Sequence, residues 1–278
     1  MTMDIISTFV LSVVQGITAW IPISSKTQVL IVANYFFGIS FATAIAFALI
    51  LHIGDLLAAI VRYRQEYFDA IISLKNPNGI INNWNNQTEK QSGFLVISLI
   101  ATVIVALPLY LLTKKIFSKV NGAPLLFAAG LLLVVMAIIT YFANKKEHSQ
   151  WKEIGIVSSI ITGIAQGFAV IPGISRSGIT QSALLAQGIE PDKAMKFSFM
   201  MSAPMIFAAI VAYYFVSGFA GISISFAILG IIISALFSFL TMDVLTKLAS
   251  KVKPYYFLAA IGILSMIPFA ISLFFKVG

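Results

Sequence analysis

Gln15-Gly16-Ile17-Thr18-Ala19-Trp20-Ile21-Pro22-Ile23-Ser24-Ser25-Lys26-Thr27-Gln28 returns later in the chain as Gln166-Gly167…Ile171-Pro172-Gly173-Ile174-Ser175-Arg176-Ser177-Gly178-Ile179-Thr180. From Gln to the first Ser is nine positions in both copies, although the proline shifts by one. The following helix repeats as well: Phe47…Ala58-Ala59-Ile60 matches Phe197…Ala208-Ala209-Ile210 at an offset of 150. Thr113-Lys114 then echoes Thr246-Lys247, and Pro124-x-x-Phe127-x-Ala129…Met136 echoes Pro254-x-x-Phe257-x-Ala259…Met266. Four matches in one order make an internal repeat, with halves of about 1–148 and 149–278 in a single integral membrane domain.

The membrane assignment follows from composition. Of 278 residues, 59% are hydrophobic and 10% charged, against about 25% charged in soluble chains. A mean hydropathy of +0.98 leaves too few polar residues to cover a water-facing surface. Windows long enough to cross a bilayer as helices are Phe41–Val61, Phe94–Leu112, Ala123–Phe142, Phe197–Val216, Ile222–Leu245 and Tyr256–Phe275. With no cysteine there is no disulfide or thiol chemistry, and with two histidines, His52 and His148, no multi-histidine metal centre is expected. The N-terminus lacks a basic run, so no cleaved signal peptide is expected. The net charge of +8 fits lysine-rich cytoplasmic loops rather than a nucleic-acid partner.

Each half reads as a proline-interrupted hairpin followed by three spans. The arms are Ile5–Ile21 with Gln28–Phe37, and Ile154–Ile171 with Thr180–Gly188. Short broken segments at matching positions point to re-entrant elements and a binding site. Three crossings per half give the halves opposite topology, so the expected fold is an all-α polytopic membrane protein with an inverted repeat. Loop charges agree. Arg62, Arg64, Lys75, Lys90, Lys145, Lys146, Lys152, Lys193, Lys196, Lys247, Lys251 and Lys253 fall on one side, and Lys114, Lys115, Lys119 and Lys276 on the other. The positive-inside bias makes the first side cytoplasmic and puts both termini outside the plasma membrane.

At the tips, proline ends the first arm and serine can cap the second, whose free amides and positive dipole end suit an anion. Lys26 and Arg176 add one cation per tip, and arginine matches phosphate oxygens bidentately. Serines that cap and cations that snorkel are the plain alternative; equivalent cations at equivalent tips favour a ligand site. The ligand inferred is an anionic lipid, a phosphate or diphosphate. His52 and Asp55, three apart on one helix face, are either an oriented base or a polar pair bonding between helices. Asp243 marks an interface, and the Asn82–Asn86 run reads as a hydrated loop without chemistry.

Pro172–Thr180 resembles the PGxSRSGxT signature of the undecaprenyl-diphosphate phosphatases, the bacitracin-resistance family. Ala165-Gln166-Gly167 and Phe197-Ser198-Phe199…Pro204 fit it too, and Gln15–Gln28 is similar to its EGxTExxPxSSxGH signature. The resemblance spans nearly the whole chain. It implies removal of the terminal phosphate of a C55 polyprenyl diphosphate at the outer face, using paired glutamates with a divalent cation (Mg or Ca), a histidine, tip serines and an arginine clamp. Ser24, Ser25, Ser175, Arg176, Ser177 and Thr180 retain the phosphate-binding parts. The glutamate positions are Gln15 and Ala19, the histidine position is Gln28, and Lys26 replaces a small polar residue.

Neutral Gln15 and Ala19 cannot hold a hard cation, and Gln28 cannot carry a proton near neutral pH; no metal ligand is assigned. Two readings follow. In the first, a phosphatase with altered machinery, Arg176 and the tip amides hold the diphosphate with Ser24, Lys26, Ser175, Ser177 and Thr180, Ser25 or an activated water attacks, and His52 assists. In the second, the protein is a non-hydrolytic binder or flippase of polyprenyl phosphate, as inverted repeats with midplane sites suggest. The partners expected are the lipid and the membrane, with a homodimer left open.

Overall fold

In hydrocarbon an apolar segment must satisfy its own backbone, and a helix does so within the segment. The computed structural model describes residues 3–21, 23–75, 80, 84, 87–117, 123–145, 153–171, 173–216, 218–219, 221–248, 251 and 253–275, and these contain helices and turns but no strand. Pro22, Pro172, His148, Lys119, Lys146, Lys152, Lys276 and the four asparagines of the 82–86 run lie outside the described residues.

The helices are α1 (Ile5–Thr18), α2 (Ser25–Ile31), α3 (Phe41–Arg62), α4 (Arg64–Ser73), α5 (Gln87–Phe117), α6 (Ala123–Asn144), α7 (Ile156–Gly167), α8 (Arg176–Ala186), α9 (Pro191–Met200), α10 (Ser202–Val216), α11 (Ile224–Leu248) and α12 (Pro254–Phe275). Phe41–Arg62, Gln87–Thr113, Phe127–Asn144, Pro191–Phe215 and Ile224–Leu245 are each long and apolar enough to cross a membrane. The protein is an all-helical, polytopic membrane protein. Asp4 caps α1, its carboxylate accepting from Ser7 N (2.7 Å) while Asp4 N donates to Ser7 Oγ (3.0 Å), the reciprocal arrangement of a capping box.

The expected span Phe197–Val216 is not one continuous helix. It breaks at Met201, between α9 and α10, because Pro204 has no N–H to give to Met200 O and its ring crowds that carbonyl. The Tyr67 hydroxyl of α4 takes the orphaned acceptor, at 2.9 Å. Tyr67→Phe should therefore lower stability by about 1–2 kcal/mol, read as a fall of several degrees in the thermal midpoint in detergent. An unchanged midpoint would mean that Met200 O finds another donor.

Without a hydrophobic force between helices in lipid, small residues decide which helices approach closely. Thr8, Ser12 and Gly16 recur every four residues on α1, and Gly230, Ser234 and Ser238 do so on α11. These two helices pack together, and a Cβ on Gly16 would lie 2.7 Å from Ser234 O. Gly163 and Gly167 of α7 meet Ser98, Ala101, Val105 and Ala106 of α5 in the same manner, Thr102 Oγ1 donating to Gly163 O at 3.0 Å. α3 packs on α11, and α6 packs along α12. Trp20, Phe94, Phe197 and Phe199 fill a core beside the first tip, Trp20 and Phe199 meeting edge to face at 5.0 Å. Asp243, near the end of α11, pairs with Lys247 (2.8 Å) and Arg62 (3.8 Å).

Candidate active site

The two tips meet. Arg176, the first residue of α8, donates through Nη2 to Ala19 O (3.3 Å), and Ser177 Oγ donates to Ile21 O (3.2 Å). The guanidinium lies 5.4 Å from the centre of the Trp20 ring, a cation–π contact that fixes its plane. Lys26, on the opposite tip, is exposed at the start of α2. Gly173 makes the second turn with φ +95°, and a Cβ there would fall 2.5 Å from Ala129 Cα. On the first tip Ser24 adopts φ 60° and ψ 80°, a left-handed conformation costing a serine roughly 1–2 kcal/mol. Ser24 Oγ bonds Thr27 Oγ1 (3.0 Å), and Gln28 Nε2 donates to Ile23 O (3.2 Å), bracing the turn.

Behind the first tip lies a buried polar network drawn from α1, α2, α3 and α11. Gln15 Nε2 donates to Asp55 Oδ2 (2.7 Å) and to Ser25 Oγ (3.2 Å). His52 Nδ1 lies 2.7 Å from the same Oδ2. With both amide hydrogens of Gln15 assigned, its 3.0 Å approach to His52 Nδ1 is the third side of a triangle around Oδ2 rather than a bond. Ser238 Oγ donates to Asp55 Oδ1 (2.7 Å), and Trp20 Nε1 donates to Ser238 Oγ (2.6 Å). A carboxylate at Nδ1 holds the ring proton there and leaves the lone pair on Nε2. Asp55 thus bonds between helices, to Gln15 and Ser238, and also orients the His52 imidazole.

Ser25 is buried, and Ser175 Oγ accepts from Gly178 N (3.3 Å) as the cap of α8. Ser177 lies 3.4 Å from Ser175, hydroxyl to hydroxyl. Thr180 is the candidate that the structure turns away: fully buried, its hydroxyl donates to Arg176 O (2.9 Å) and lies 2.5 Å from Ser198 Oγ. Two buried atoms at the junction have no hydrogen-bond partner among the described residues, Arg176 Nη1 and Gln15 Oε1. Sequence reasoning missed Ser238 and Trp20. The four-residue spacing of Gly230, Ser234 and Ser238 was the available signal for the first; nothing in the sequence set Trp20 apart from a core aromatic.

The residues present do not fit a divalent cation. Asp55 is the one carboxylate in this network, and both of its oxygens are already engaged, by Gln15 and His52 on one and by Ser238 on the other. Ala19 is apolar, and Gln15 presents N–H groups to Asp55. No group of three or more His, Cys, Asp or Glu side chains suited to a metal occurs among the described residues.

Comparison with known proteins gives a family match over residues 8–267, to the model described as bacitracin resistance protein BacA. A curated undecaprenyl-diphosphatase of Methanococcoides burtonii is 35% identical over 93% of this chain and 96% of its own length. Those of Saccharolobus solfataricus and Haloarcula marismortui are 33% and 32% identical, the first over 93% of each chain and the second over 89% of this chain and 91% of its own.

Proposed function

Because the chain belongs to the bacitracin resistance protein BacA family, we propose that it hydrolyses an undecaprenyl-type polyprenyl diphosphate to the lipid monophosphate and inorganic phosphate. The observation that carries this reading is Arg176 Nη1, a buried guanidinium donor left without an acceptor where both tips converge. A donor of that kind is costly unless something charged completes it, and a phosphate oxygen does. The terminal phosphate lies against Arg176 and the first amides of α8, with Lys26 facing it from the other tip. Ser25 Oγ attacks the phosphorus, and His52 Nε2 takes the serine proton while Asp55 holds the imidazole. The bond to the bridging oxygen breaks, its electron pair leaving on the lipid monophosphate. Water then cleaves the Ser25–phosphate bond and releases inorganic phosphate.

We propose further that the halves form an inverted repeat in the plasma membrane, with both termini outside. The reciprocal packing supports it: α1 lies on α11 and α7 lies on α5, each hairpin clasped by a helix of the other half. The halves differ in chemistry. At the repeat offset of 150, His52 and Asp55 correspond to Ser202 and Met205, so the first half carries the proton-handling pair and the second the arginine.

Purified protein in detergent should release phosphate from farnesyl or undecaprenyl diphosphate. His52→Ala should lower kcat roughly 100-fold with KM little changed. Lipid phosphate that binds without any phosphate release above an Arg176→Ala control would leave a binder or flippase instead.

A further inference from the structure

We infer that this site transfers the phosphoryl group without a divalent cation, Lys26 and Arg176 supplying the positive charge. The inference rests on the phosphatase reading and concerns how that reaction is run. A hard divalent ion needs several anionic or carbonyl oxygens turned toward one point. Here the facing groups are a neutral carboxamide whose hydrogens go to Asp55 and Ser25 and whose one oxygen, Gln15 Oε1, has no partner among the described residues, a methyl at Ala19, and Asp55, which together offer too few oxygens for such an ion. The lone pairs of Asp55 are engaged by Gln15 Nε2 and His52 Nδ1 on one oxygen and by Ser238 Oγ on the other. To ligate a metal, Asp55 would have to release these partners and leave them unsatisfied in the core.

The charge pattern points the same way. Lys26 stands on the first tip and Arg176 on the second, and the two tips meet. A third cation would meet two like charges and one carboxylate. Against a terminal phosphate of about −2 charge, two fixed cations and the positive end of α8 are a matched set. The positions also differ usefully. Arg176 is locked on Trp20 and Ala19 O, whereas Lys26 is accessible on its short helix. Arg176 therefore sets the plane of the phosphate, and Lys26 follows the charge that develops as the phosphorus is attacked. Fixed cations stabilise that charge without needing to be assembled at the moment of reaction.

The test uses full-length protein dialysed against EDTA and then assayed for phosphate release from farnesyl diphosphate with no added metal, with Mg²⁺ and with Ca²⁺. Because the diphosphate itself chelates metal, binding is measured separately by titrating Mg²⁺ and Ca²⁺ into protein without substrate. The expected results are rates within twofold across the three conditions and no stoichiometric metal. Lys26→Gln should lose roughly 100-fold in kcat/KM, Lys26→Arg should stay within about tenfold, and both should keep the parent thermal midpoint. Activity abolished by EDTA and restored by Mg²⁺ or Ca²⁺, or one bound equivalent of either ion, overturns the inference and leaves the phosphatase reading standing. Lys26→Gln with unchanged kinetics also overturns it. No release under any condition removes the phosphatase reading, and the inference with it.

Discussion

Arg176→Ala should lower kcat/KM for polyprenyl diphosphate by about 10³-fold, roughly 4 kcal/mol of lost transition-state stabilisation. The size follows from three features. Nη1 is buried with no acceptor among the described residues, Nη2 is anchored on Ala19 O, and the plane is set by Trp20. The group is thus oriented before substrate arrives, the condition under which a charged donor contributes most. Arg176→Lys keeps the charge but loses the fork and the stacking, and should recover no more than about a tenth of the parent rate. Steady-state kinetics with both variants, beside their thermal midpoints, check the claim. A loss below tenfold in Arg176→Ala would place the phosphate elsewhere.

The second large effect is structural. Gly54→Val should yield little folded protein in detergent, because a Cβ at Gly54 would lie 2.0 Å from Ser234 Oγ and 2.6 Å from both Ile231 O and Ala235 N. Two of these atoms are backbone, so relief requires α3 and α11 to separate. Separation would also pull Ser238 from Asp55, the residue next to Gly54, and so disorder the imidazole from behind. Overpacking of this kind ordinarily costs about 1–3 kcal/mol; the backbone contact puts this case at or above the upper end. Size-exclusion profiles and thermal midpoints provide the check, with Gly155→Val as control, since a Cβ there meets nothing within 4 Å. Equal behaviour of the two variants would mean that the helices do not lie as closely as described.

Much of the fold was legible because hydropathy and helix geometry act along the chain. Five long apolar helices, the turns at the two tips and the serine that caps α8 follow from runs of apolar residues, proline and capping chemistry. The break at Met201 was legible in principle, since Pro204 stood inside an expected span, but the Tyr67 hydroxyl that makes it tolerable comes from 133 residues earlier. The site divided along the same line. Arg176, Lys26 and the tip serines are local signals. Gln15 looked like a lost acid when taken alone; its role as donor to Asp55 and Ser25 depends on three helices meeting. Ser238 and Trp20 join the network through contacts 183 and 218 residues apart, which no local pattern encodes. Thr180 sat in the right motif and faces the wrong way, because a helical threonine readily returns its hydroxyl to a preceding carbonyl.

The clasp of α1 by α11 also sets a timetable for biogenesis. At about 5–20 residues per second, Trp20 leaves the ribosome some 10–40 s before Ser238, its hydrogen-bond partner. During that interval Thr8, Ser12 and Gln15 of α1 lack the α11 surface on which they pack. The earliest segment made is among the last to dock, so truncated chains ending before α11 should be the natural substrates of membrane quality control. A chain released whole closes the Trp20–Ser238–Asp55 network in one late step, because its last partner, Ser238, is made 218 residues after its first.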